Sequence, residues 1–181
     1  MKKFSFIQKI RNQIRVEGNL DLTIAKNVKL ANCKIRVKGK NNKLTIEEGT
    51  VIRYTQLEIL GDNSSIYIGK NCIIGHESYL SAKEGRTLIV KDNCSLSRNV
   101  KVMTSDGHPI YQNNKIINHA VDITLENNVW VADNVTILKG SNIGANSVLG
   151  INSTVTKSVP SNSIAVGNPA KVVKQNISWE H

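Results

Sequence analysis

The pair His108–Pro109 is where chemistry first suggests itself in this chain. An imidazole accepts a hydroxyl proton near neutral pH, so a histidine in a turn fixed by proline is a candidate general base. The same two residues also describe an ordinary surface histidine. Asp106 could orient the ring, bind an acceptor hydroxyl or cap a corner of the chain. His119 could contact an acceptor or be a solvated loop histidine, and His76, beside Glu77, has an equally open role. Trp130 offers an aromatic face, either for surface packing or for a ligand. Lys171 and Lys174 could meet phosphates as point charges or be solvated. The cysteines, Cys33, Cys72 and Cys94, are odd in number and lack CxxC spacing, so neither a disulfide framework nor a zinc site is expected.

These groups must be positioned by a fold with few rings, since aromatics are only 4% of the 181 residues. The net charge of +10 suits an anionic partner, yet no RNA-binding aromatic motif or helix-turn-helix pattern accompanies it, so nucleic acid is not expected. No apolar run approaches the roughly 20 residues of a membrane span, and the N-terminal stretch lacks a signal-peptide core, so the expected compartment is the cytoplasm.

A six-residue rhythm supplies the scaffold. From Leu125 the chain reads LENNVW, VADNVT, ILKGSN, IGANSV, LGINST, VTKSVP, with an aliphatic at every first position and a small or branched residue at every fifth. Six residues at a strand's rise make one flat side and a tight turn, so the first position points inward each time. Upstream, Ile24, Ile46, Ile68 and Val90 recur every 22 residues, which is three hexads plus four residues at one corner. The stretches KGKNN, GDNSS and KEGRT are expected at that corner, and Arg36 and Glu58 would fall at inward positions. Cys72 and Cys94 take fifth positions and are expected to stack in the core. Asp106 also takes a fifth position, normally inward and small.

Between Val90 and Leu125 the spacing widens to 35, so the same corner is enlarged into a loop at about 104–124 with His108 at its root. Long excursions from a rigid scaffold commonly carry function. The expected organisation is one domain: an N-terminal cap segment (1–20), a β-helix (21–160) interrupted by that loop, and a C-terminal segment (161–181). In the cap, Phe4, Phe6, Ile7, Ile10 and Ile14 among basic residues predict a short amphipathic helix over the solenoid's open end, with weak peripheral membrane contact as the alternative.

The hexads, with SDGHPIY, NNVWVADNVTILKGSNIGANSVLG and GNPAKVV in order, resemble the hexapeptide-repeat acyltransferases, above all bacterial sugar and capsular-polysaccharide O-acetyltransferases. The resemblance implies an all-β, left-handed parallel β-helix, acetyl-coenzyme A as donor, no metal requirement, and a homotrimer with sites between neighbouring prisms. It implies His108 as base and Trp130 in the same cleft. It places Asp133 in the cofactor segment, Ile151, Thr156 and Lys157 along the pantetheine groove, and Lys171 and Lys174 near the cofactor phosphates. His108 and Trp130 fall at different corners of one prism, so a cleft holding both requires a neighbour. This chain reads WVA where the family has WIG, and Ile151 adds bulk where alanine is usual. Two alternatives remain: a non-enzymatic basic solenoid binding an anionic glycan or nucleic acid, and a zinc-dependent carbonic anhydrase on the same scaffold, which needs three converging histidines.

Overall fold

The computed structural model describes residues 4–180; Met1, Lys2 and Lys3 of the expected cap segment and His181 lie outside the described residues. The chain winds as a three-sided β-solenoid in which three inward columns run the length of the prism. On the first side Ile24, Ile46, Ile68, Val90, Leu125 and Ile143 pair in register. The second carries Leu30, Ile52, Ile74, Leu96, Val131, Leu149 and Ala165. The third carries Ile35, Leu57, Leu80, Val102, Ile137 and Val155. All but Ile24 are buried, and each full burial of such an aliphatic contributes about 1.5–3 kcal/mol.

Arg36 and Glu58 are not the inward residues. In their coils the corner before the third side is one residue shorter, so Ile35 and Leu57 take the column and the charged neighbours turn outward. The polar stretches KGKNN and GDNSS both bend the chain; pairing persists through KGKNN, whereas GDNSS separates the strands Gln56–Leu60 and Ser65–Ile68. Lys34–Ile46 is therefore one strand, and the first and third sides share an 11-stranded sheet. Gly18, Gly39 and Gly61 stack at this bend with positive φ, and a Cβ on Gly39 would lie 2.3 Å from the Gly61 carbonyl oxygen.

Asparagine makes the other corners. Among the described residues every non-glycine position with positive φ is asparagine, except Tyr54, Glu77 and Glu84. Asparagine enters this left-handed region at least cost, and its amide then links coils. Asn99 Nδ2 donates to Asn134 Oδ1 (2.9 Å) and Asn134 Nδ2 to Asn152 Oδ1 (3.0 Å). Asn128, Asn146 and Asn162 form a second ladder at 3.1 and 3.0 Å. Cys72 and Cys94 sit in the core as expected, their thiols donating to the Lys91 and Glu126 carbonyls at 3.1 and 3.0 Å. The hydrogen-bonded Cys72 and burial together push the Cys94 thiol up, out of the reactive range.

The N-terminal helix Phe6–Arg11 forms with a Ser5/Gln8 capping box, but its apolar face does not cover the prism. Phe6, Ile7 and Ile10 are exposed, and the open end is closed instead by buried Phe4 and Asn12. Asn12 Nδ2 donates to the Leu30 carbonyl (3.2 Å) and its Oδ1 accepts the Cys33 N–H (2.9 Å). No helix among the described residues is long and apolar enough to cross a membrane.

Candidate active site

The enlarged corner runs from Lys101–Met103 on the third side to Ile123–Leu125 on the first, with a small hairpin, Tyr111–Gln112 against Lys115–Ile116, at its tip. Its base is closed by the Val121 N–H on the Thr104 carbonyl (2.9 Å) and the Thr87 N–H on Asp122 Oδ1 (2.8 Å). His108 lies at the root, on the rim of a cleft of about 210 Å³ lined also by Glu84, Ser105, Ile116, Asn118 and His119. His108 and His119 are thus brought together.

Asp106 faces outward, not into the core; buried Thr104 fills the inward place. Its Oδ2 accepts from Lys139 Nζ (2.6 Å) and from Asn118 Nδ2 (2.8 Å). Lys139 also donates to the Asn118 carbonyl (2.6 Å), while Asn118 donates to the His108 carbonyl (2.8 Å) and accepts the Ile110 N–H (2.6 Å). The histidine's backbone is therefore pinned from both sides, by one lysine from the next coil and one asparagine from the returning loop. The Lys139 ammonium, then the Asn118 amide, hold the Asp106 carboxyl below the usual aspartate range. On the opposite wall Ser105 Oγ donates to Glu84 Oε1 at 2.5 Å.

The remaining residues sit elsewhere on the prism. Trp130 opens the second side, half-exposed, with its ring 5.8 Å from that of Trp179 and its Nε1–H directed at Ser97 Oγ (3.4 Å). Asp133 is engaged by Arg98 through two guanidinium contacts (2.6 and 3.1 Å) and the Arg98 N–H (2.8 Å), and that arginine holds its carboxyl below the usual range. Ile151 is exposed at the following corner. Thr156 and Lys157, also exposed, follow the third side and share the loop's corner. Lys171 and Lys174 stand on the C-terminal strand Ala170–Gln175, opposite Val166 and Ile164. Lys174 continues the row Trp130–Val148–Ile164 across the second side.

Sequence reasoning missed Lys139, Asn118, Glu84 and Ser105. Lys139 was within reach of it: two residues past Ile137 in the third column, it stacks directly after Thr104, two residues past Val102. Among the described residues no group of three or more His, Cys, Asp or Glu side chains is arranged to hold a metal ion.

A solved structure of the polySia-specific acetyltransferase NeuO matches with a TM-score of 0.73 and 34% identity, over 92% of this chain and 88% of that one. The chain belongs to the hexapeptide-repeat acetyltransferases. The left-handed β-helix is the fold of this family. A second member, galactoside acetyltransferase in complex with coenzyme A, matches at 30% identity and a TM-score of 0.54, over 70% of this chain and 64% of that one. In sequence, 88 residues are 44% identical to the polysialic acid O-acetyltransferase of Escherichia coli O1:K1 / APEC, covering 48% of this chain and 29% of that protein. Matched segments thus span well under two thirds of such curated relatives, 29% to 41% of the first three. No protein-family model matches.

Proposed function

We propose that this protein transfers the acetyl group of acetyl-coenzyme A to a hydroxyl of an acidic surface polysaccharide in the cytoplasm, with His108 as general base. The observation that carries the reading is the pinned His108–Pro109 turn, held by Asp106, Lys139 and Asn118 over a cleft, in a chain of this family. An alcohol attacks a thioester poorly unless its proton leaves as the new C–O bond forms. His108 accepts that proton and returns it to the departing coenzyme A thiolate, so no net charge accumulates. Asp106 is occupied by the lysine, so its part is to fix the loop rather than to orient the ring.

The donor fits a path across the last coils. Exposed Ile151 and Val166 offer apolar area for a pantetheine arm, and Lys171, paired with Val166, stands beside them with Lys174 nearby to meet phosphates. Trp130 and His119 complete the proposed contacts, to donor and acceptor respectively. Asp133 serves in this reading by bracing the donor segment through Arg98. Thr156 and Lys157 share the corner that carries the His108 loop, where the donor's reactive end must arrive. His108 and Trp130 belong to different corners, so the working cleft is shared between neighbours of a homotrimer. An acidic polymer as acceptor agrees with the +10 charge and with the acceptor named for the polysialic acid relatives. The exposed Phe6, Ile7 and Ile10 beside Lys9 and Arg11 would support weak contact with a membrane surface.

The test is free-thiol release from acetyl-coenzyme A in the presence of polysialic acid. His108→Ala should lower turnover about 10²–10⁴-fold while leaving coenzyme A binding intact. A folded variant that acetylates at the wild-type rate would overturn the mechanism.

A further inference from the structure

The positive-φ positions single out a second place on the prism. At the corner between the second and third sides, successive coils place Asn32, Tyr54, Glu77, Asn99, Asn134 and Asn152 in the left-handed conformation, each N–H bonded to the coil before. Two of these break the asparagine ladder, and they are adjacent. A bulky aromatic at such a φ is strained, and strain of this kind concentrates where a site needs the side chain more than the fold does. Glu84, the one other exception, lines the His108 cleft.

Tyr54 is half-exposed, and its ring lies 4.7 Å from that of His76 at 55°, so the two form an open aromatic angle. Beside them is a recess of about 370 Å³ lined by Asn32, Lys34, Tyr54, Gln56, Glu77 and Tyr79, of a size that small ligands occupy. Lys34, Gln56 and Tyr79 are successive rungs of one outward row. Lys34 makes no ion pair among the described residues, and neither does Glu77. The Tyr79 hydroxyl is turned away to Glu58, leaving its ring as wall.

We infer that this recess is a second saccharide subsite, which seats one acidic sugar unit of the acceptor polymer at a distance from the reacting hydroxyl. The Tyr54 ring stacks on the apolar face of the sugar, Lys34 meets its carboxylate, and Glu77 with Gln56 accepts and donates hydrogen bonds to hydroxyls. The third side, five residues wide, and two coils of height separate the recess from the His108 loop, roughly 20 Å in all. A single sugar cannot reach both places; a polymer can. The acceptor class rests on the function proposed above, whereas the subsite itself rests on Tyr54, Lys34 and the recess.

The experiment is equilibrium titration of the full chain, without acetyl donor, with a short polysialic acid oligomer and with a neutral glucan oligomer. The oligomer should bind the wild type, and Tyr54→Asn and Lys34→Ala should each weaken it by about tenfold. Because Tyr54→Asn restores the ladder residue, its melting temperature should hold or rise, so lost affinity cannot be blamed on a damaged fold. Unchanged affinity in Tyr54→Asn, or no binding by the wild type, overturns the subsite; equal, Tyr54-dependent binding of the neutral oligomer overturns its acidic specificity. Thiol release in the presence of acetyl-coenzyme A separates the two proposals. Tyr54-dependent binding without thiol release keeps the subsite and removes acetyl transfer, and thiol release whose kcat/KM for the oligomer is indifferent to Tyr54 and Lys34 does the reverse.

Discussion

Lys139 does at one atom what a longer loop would otherwise need several contacts to do. Its ammonium is largely shielded, with 19% of the side chain exposed, and it bonds both Asp106 and the Asn118 carbonyl at 2.6 Å. Lys139→Ala should therefore loosen the turn and cut turnover by about tenfold without moving the melting temperature by more than a few degrees, checked by thiol release and thermal unfolding. The pair also has a pH signature. The folded Asp106 carboxyl is depressed below the unfolded aspartate value of about 3.9, so its stabilisation is complete above that value and is lost as pH falls through the folded one. Protection of the Ile110 and Ile117 amides from hydrogen exchange, which reports the closed loop, should collapse in that acidic window. In Asp106→Asn the collapse should lose its pH dependence. An unaltered acid profile in Asp106→Asn would assign the transition to another group.

Among the elements, the third side carries the least ordinary group, the Glu58 carboxylate on an outward row yet 6% exposed. Burial alone would raise it. The Tyr79 hydroxyl at 2.5 Å, the Lys83 ammonium at 3.0 Å and the Arg36 guanidinium at 3.5 Å outweigh burial and hold it below the usual glutamate range. Glu58→Ala should destabilise the fold by about 1–3 kcal/mol at pH 7, less than a fully buried pair because Arg36 and Lys83 reach solvent. The difference from wild type should shrink as pH falls below about 4.3, read from urea midpoints. Glu58 also marks where sequence reading reached its limit. The hexad phase located all three columns from Ile68 to Val155, because each coil repeats the same inward demand, and it ran out before Ala165. It failed by one residue at Glu58 and Arg36, because a corner one residue short leaves no mark in composition. Lys139 was legible by its stacking after Thr104, but its pairing with Asp106 was not, because the two are separated in the chain by the whole inserted loop. The helix Phe6–Arg11 was legible as a helix, but what its apolar face packs against is not a local property.

For the molecule as a whole, the trimer prediction follows from the same geometry that divides the candidate residues among corners. Light scattering should give three times the 20.0 kDa chain mass, and mixing His108→Ala with Trp130→Ala protomers should restore part of the activity through hybrid clefts. A fully active monomer would sink the shared cleft. The in-register columns and asparagine ladders carry one further consequence. Because each coil bonds only to the coils directly before and after it, the prism is a ruler graduated in steps of one strand spacing, about 4.8 Å. Duplicating or deleting the 22-residue coil between Leu80 and Val102 would slide the recess relative to the His108 loop by one graduation without rotating either. If the acceptor is the proposed polymer, reach would change by whole coils while the loop proposed to carry the chemistry stayed untouched.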